Sequence, residues 1–150
     1  MSEEQITALI EKTLAFEGGY SNDSEDPGME TKWGISRKSF PDLDIANLTK
    51  EQAIQIYREK YWEPVSNFRE PDFLSNRILW KLFDIAVNMG MATAESFWDK
   101  VMDGLNISFS DDKALHQLSA LQMKRYGLII KAKPSQVKYL QGWITRAMTI

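Results

Sequence analysis

Cysteine is absent from the 150 residues, and histidine occurs once, as His116. Without a thiol the chain cannot form a disulfide, use a thiolate nucleophile or hold zinc through sulfur. A single imidazole set between Leu115 and Leu118 of a helical pattern argues against a His-based triad or metal centre. Long hydrophobic runs are missing too: none reaches the roughly 20 apolar residues that a membrane-spanning helix needs. The opening "MSEEQITALIEK" carries acids where a secretory leader would be basic, so neither a signal peptide nor membrane insertion is expected. Export would then depend on a separate route. Internal repeats and low-complexity linkers are also lacking.

What is present fits a globular domain: 43% hydrophobic residues, 26% charged, and five Trp. The net charge of −3 conceals a gradient, because residues 1–30 hold eight acids against Lys12 whereas residues 113–150 hold seven bases and no acid. Such asymmetry leaves two readings open. The basic end (Lys113, Lys124, Arg125, Lys131, Lys133, Lys138, Arg146) could attract an anionic polymer, or both ends could be solvated faces. Nucleic acid is not the expected partner, since the pI is near 5.2 and no groove-reading motif occurs.

The hydrophobic pattern is helical almost throughout. Ser2 and Gln5 form a capping-box pair, followed by Ile6, Leu9, Ile10 and Leu14 at helical spacing until Gly18-Gly19. Residues 20–36 are rich in Ser, Asn, Asp, Gly and Pro, so a loop or small hairpin is expected there, with "TKWGIS" as a short strand. Thr49 and Gln52 open a second capped helix that Pro64 should end. Leu79, Leu82, Phe83, Ala86 and Val87 define a central buried helix up to Gly90. Further helices are expected through Phe97–Met102, from Ser110 to Gly127, and from Pro134 onward. The expected fold class is all-α, about six helices in one compact domain with a small irregular insert after the first; the only candidate seam lies near Met89–Thr93.

The chemistry concentrates at the end of the first helix. Glu17 and the acids Asp23, Glu25, Asp26 and Glu30 precede Lys32 with no intervening base. A carboxyl that donates a proton near neutral pH must titrate above its ordinary range. Three features push Glu17 that way: the negative end of the helix dipole, apolar cover from Phe16, Tyr20 and Trp33, and like charge from the loop. Gly18 and Gly19 allow a bulky polymer to approach. A protonated carboxyl beside a second, ionised one is the arrangement of glycoside hydrolysis. The residues themselves do not single out the second group. Calcium is the rival use of the loop, but "DSEDPGMET" lacks the twelve-residue EF-hand spacing, so no metal and no cofactor is expected.

The stretch "EGGYSNDSEDPGMETKWGIS" resembles the signature of glycoside hydrolase family 108, the N-acetylmuramidases of phage endolysins and bacteria, and "LFDIAVNMG" and "YLQGWITRAM" resemble that family's second half. The resemblance implies a lysozyme-like fold over residues 1–150. Its catalytic part would cover 1–90, and its predicted peptidoglycan-binding part 91–150. It also implies cleavage of the β-1,4 bond between N-acetylmuramic acid and N-acetylglucosamine. The family's catalytic glutamate falls on Glu17, and its second block places Asp26 and Thr31 beside it. Asp26 is favoured as partner because the Pro27-Gly28 turn would fix its direction, with Glu30 and Thr31 as rivals; Thr31 would hold a water instead of ionising. One position departs from the pattern: Met29 stands where the second glycine is usual. Some members carry the label secretion activator.

For glycan binding, Gly19 allows close approach and Tyr20 and Trp33 lie in the loop, while Tyr61, Trp62 and Trp98 are aromatics with an alternative place in the core. Asp84 and Asn88, four apart in an apolar helix, could line a cleft or form a buried tie. The expected reading is a muramidase acting on peptidoglycan strands, with Glu17 as general acid. It would be made in the bacterial cytoplasm and reach the wall through a holin or a secretion system. Two alternatives stay open: a non-catalytic wall-binding or secretion-accessory protein, and a lytic transglycosylase.

Overall fold

The computed structural model describes residues 1–22, 30–68, 74–104 and 109–148. It is mostly α-helical, with six helices of eight residues or more and one three-stranded sheet among the described residues, as in lysozyme-like folds. None of these helices is long and apolar enough to cross a membrane. The chain divides into two compact units, Met1–Glu63 and Pro64–Ile150.

In the first unit, α1 spans Glu3–Phe16. Its capping box forms as the spacing predicts: Ser2 Oγ accepts from the Gln5 N–H at 3.3 Å and the Ser2 N–H donates to Gln5 Oε1 at 2.9 Å. Such a cap contributes about 1 kcal/mol. Ile6, Leu9, Ile10 and Leu14 are buried on one face, and burying each contributes roughly 1.5–3 kcal/mol, so packing outweighs the cap in holding α1. The chain leaves α1 through Gly18, at φ +83°, a conformation that favours glycine.

Strands β1 (Tyr20–Asn22), β2 (Glu30–Lys32) and β3 (Ile35–Ser36) form an antiparallel sheet in that order. Residues 31–36 thus divide into parts of two strands around a two-residue turn. Trp33 and Gly34 both have positive φ, +50° and +71°, the pattern of the primed turn that matches the twist of a hairpin. Lys32 anchors the hairpin by donating to the carbonyls of Ala46 (3.2 Å) and Leu48 (2.9 Å), which lie outside regular structure. Ile35, Ile45 and Leu48 continue the core.

Helix α2 (Lys50–Tyr57) begins at the predicted Thr49–Gln52 capping box. Pro64 does not end the helical path. The chain widens into a π-helical turn at Arg58–Trp62, followed by the short α3, Glu63–Ser66, with Pro64 in its first turn. Proline lacks the N–H and its ring clashes with a carbonyl one α-turn back; the wider turn, in which the Glu63 N–H reaches Arg58 O, accommodates both demands.

The second unit is built on α4 (Asn76–Met89), α5 (Met91–Gly104), α6 (Asp111–Ala132) and α7 (Leu140–Met148), with a 3₁₀ turn at Pro134–Tyr139 before α7. Helix α4 buries Ile78, Leu82, Phe83, Ile85 and Ala86. Met89–Thr93, the candidate seam, falls within this unit. Helix α6 continues through Gly127 for five more residues: the glycine costs about 1 kcal/mol, and the flanking Tyr126, which is buried, holds this part of the helix in place. Lys81 is also fully buried. Its Nζ donates to the Ala147 carbonyl at 2.6 Å, which Ser119 Oγ also reaches at 3.2 Å, so two side chains terminate the last turn of α7. Burial pushes the Lys81 amine down to about 8, against the pull of Asp84.

Candidate functional site

Glu17 is the C-terminal cap of α1, with helical backbone angles and its N–H donating to Leu14 O at 3.2 Å. The residue is half-buried. The Trp33-Gly34 turn lies directly against it: a Cβ placed on Gly34 would stand 3.2 Å from Glu17 Oε2 and 2.8 Å from the Tyr57 hydroxyl. Only glycine fits there, both for this contact and for its positive φ. Tyr57, buried on α2, donates its hydroxyl to Trp33 O at 2.9 Å and so holds the turn at the carboxyl. Its ring meets that of Tyr61 at 5.3 Å between centroids. The Tyr61 hydroxyl is pushed above its ordinary range by burial, and further by the Glu17 carboxylate, so these two acids share a field. On another flank, an added Cβ on Gly18 or Gly19 would have nothing within 4 Å among the described residues, which leave space beside the acid.

The hairpin forms a second cluster. Tyr20 pairs with Lys32 across the ladder, which puts Glu30 diagonally opposite on the same face. Tyr20 donates its hydroxyl to Glu30 Oε1 at 2.9 Å, and Arg37 Nε donates to Glu30 Oε2 at 2.8 Å, with Arg37 Nη2 on the same oxygen. Arg37 first, then Tyr20, holds the Glu30 carboxyl below its usual range, while donation to Glu30 raises the Tyr20 hydroxyl. Glu30 is therefore an ion-pair anchor with both oxygens engaged. The Tyr20 ring stays half exposed. Thr31, aligned with Ser21 and Ser36, points to the opposite face of the sheet. Trp33, partly exposed at the turn, carries the Lys32 ammonium 4.9 Å from its ring centroid.

Asp26, with Met29, lies outside the described residues. Asp84 and Asn88 belong to the second unit, where they take part in a polar network among α4, α6 and α7. Arg146 Nε donates to Asp84 Oδ1 at 2.6 Å, and Gln122 Nε2 donates to Asp84 Oδ2 at 3.3 Å and to the Tyr126 hydroxyl at 3.2 Å. That hydroxyl donates in turn to Asn88 Oδ1 at 3.0 Å. These contacts tie buried Asp84 and half-buried Asn88 into the packing of α4, α6 and α7. Among the described residues, no three His, Cys, Asp or Glu side chains come together as metal ligands.

The structure thus brings Glu17 together with the Trp33-Gly34 turn, and Tyr20 together with Glu30. Sequence reasoning passed over Tyr57 and Gly34. The i, i+4 spacing of Tyr57 and Tyr61 was a usable signal, as was a glycine after a bulky residue between two strand-like pairs.

This geometry can be set beside known proteins. No curated protein matches the sequence at a significant level. The fold is similar to that in the structure of Brucella abortus SagA, with 23% sequence identity, a TM-score of 0.73, and coverage of 97% of this chain and 91% of that one. The family model described as Glycosyl hydrolase 108 matches residues 10–90, more than half of the sequence and the whole of the Glu17 site, and the chain therefore belongs to the Glycosyl hydrolase 108 family.

Proposed function

We propose that the chain hydrolyses peptidoglycan as an N-acetylmuramidase, cleaving the β-1,4 bond between N-acetylmuramic acid and N-acetylglucosamine with Glu17 as general acid. The observation that carries this reading is the seat of Glu17. Its carboxyl is braced by the Trp33-Gly34 turn, while the described residues leave open space beside Gly18 and Gly19. A general acid must be held within hydrogen-bond reach of the leaving oxygen, and a glycan strand is bulky, so a braced carboxyl with one open flank suits both demands. Tyr20 and Trp33 present partly exposed rings on which a sugar could stack.

The second group is assigned to Asp26, or to Thr31 holding a water. Glu30 is the weaker candidate, because Arg37 and Tyr20 already occupy its oxygens. The partner is a peptidoglycan strand, reached through a holin or secretion route after synthesis in the cytoplasm. A second reading, a non-catalytic wall-binding or secretion-accessory protein, draws on the engaged Glu30 and on Met29 in place of glycine. Zymography on bacterial cell walls tests the proposal: a clearing band that Glu17→Gln abolishes supports the hydrolase, whereas no clearing with retained wall pull-down supports the binder. Products ending in anhydro sugars would instead indicate a transglycosylase.

A further inference from the structure

The second unit contains a pocket of about 280 Å³, lined by Asn88, Met89, Arg125, Tyr126, Ile129 and Trp143. One wall is apolar. Trp143 stacks on Tyr126 at 4.9 Å and 15° between planes, with Tyr139 tilted against its other neighbourhood at 6.0 Å. Asn88 and Arg125 add donors to the lining. The network from Arg146 through Asp84, Gln122 and Tyr126 ends by donating to Asn88 Oδ1, which sets the amide orientation and leaves the NH₂ of this lining residue without a partner among the described residues. Arg125 is exposed, and its guanidinium makes no hydrogen bond or ion pair with the described residues. The pocket therefore offers a fixed amide donor and a cationic fork beside an aromatic and aliphatic wall, with no acidic side chain among its described lining residues.

We infer that this pocket binds a carboxylate borne on a small apolar group, of the kind found at an alanine-terminated peptide. Charge selects an anion, and the planar fork of Arg125 suits a carboxylate bidentately. Met89, Ile129 and Trp143 take the methyl-sized side chain. Size argues against a sugar polymer, because 280 Å³ lies just below the roughly 300–1,000 Å³ typical of small-molecule sites, room for one or two residues. The site belongs to the second unit and does not depend on what Glu17 does.

The test is an NMR titration of the full chain, following the Trp143 indole N–H and the Asn88 side-chain amide. The ligands are N-acetyl-D-alanyl-D-alanine, N-acetyl-L-alanyl-L-alanine, the C-terminal amide of each, and tri-N-acetylchitotriose. Saturable shifts are expected from a free-acid dipeptide and not from its amide. Arg125→Gln should weaken binding about tenfold while leaving the rest of the spectrum unchanged. Preference for the D,D form would identify a wall peptide as the source, and preference for the L,L form, or none, a protein or peptide terminus; either supports the site. Absence of saturable shifts from both dipeptides, equal binding of the amides, an unaffected Arg125→Gln, or response to the chitotriose alone would overturn it. Because the dipeptides contain no glycosidic bond, these outcomes are separate from those of the wall-cleavage assay.

Discussion

Replacing Gly34 with alanine adds one methyl group at the point where the hairpin turn, Tyr57 and Glu17 meet. The new Cβ would lie 2.8 Å from the Tyr57 hydroxyl and 3.2 Å from Glu17 Oε2, closer than carbon normally comes to either, on a backbone at φ +71°. Left-handed backbone costs a non-glycine residue roughly 1–2 kcal/mol. Moving the Tyr57 hydroxyl weakens its bond to Trp33 O, a further loss of about 0.5–1.5 kcal/mol. The expected destabilisation is therefore about 2–3 kcal/mol, within the 5–15 kcal/mol typical of a folded domain, so the variant should still fold. The larger effect should be on activity. Glu17 must shift by a few tenths of an ångström, and since a misplacement of about 1 Å can cost about 100-fold in rate, a loss of roughly tenfold or more is expected. Urea melts give the stability change, and reducing-end release from purified cell wall gives the rate, measured well below the melting midpoint. Tyr57→Phe separates the two causes: it keeps the glycine and removes the hydroxyl, so it should cost about 1 kcal/mol and only part of the activity. A Gly34→Ala protein with unchanged melting and unchanged rate would refute the bracing of Glu17 by the turn.

Other expectations follow from the second unit. Gly127 lies inside α6 with nothing among the described residues within 4 Å of an added Cβ and without positive φ, so Gly127→Ala should stabilise by about 0.5–1 kcal/mol in urea melts; a loss of stability would contradict the helix assignment there. Lys81 has a folded-state value of about 8 against an ordinary 10.5, so between these pH values the unfolded chain binds a proton that the folded chain lacks, and stability rises with pH. Tyr126, pushed up to about 12 by burial, acts in the opposite sense above pH 10, which confines the net rise to pH 8–10. Over that window wild type should gain roughly 2 kcal/mol relative to Lys81→Met, and parallel pH profiles for the two proteins would rule out the buried amine as the cause.

Elements specified by neighbouring residues could be read in advance, and those specified by distant partners could not. Both capping boxes, the end of α1 at Glu17, and the burial of α4 follow from spacings of three and four residues, which a single helix imposes on itself. Pro64 and Gly127 misled because their local preferences amount to only a few kcal/mol, and a π-helical turn or the packing of neighbours meets that cost. The fate of Glu30 depended on the strand register that places Tyr20 diagonally across from it and on Arg37 beyond the turn. Neither periodicity nor charge counting reveals this. Asp84 and Asn88 left two readings open, a cleft or a buried tie, because two polar groups in an apolar helix are expensive to bury without partners and the sequence does not show the partners. Their partners, Gln122, Tyr126 and Arg146, come from 38 to 62 residues away. Lys81 gave no warning, since its acceptor is a backbone carbonyl at Ala147.

Release of reducing ends from purified peptidoglycan by wild type and by Glu17→Gln, each verified as folded by its melting curve, tests the central claim most directly. General acid catalysis contributes typically 10²–10⁴-fold, so the account predicts that the glutamine variant cleaves slower by roughly that factor while still binding wall. A folded Glu17→Gln protein that cleaves peptidoglycan at the wild-type rate would contradict it.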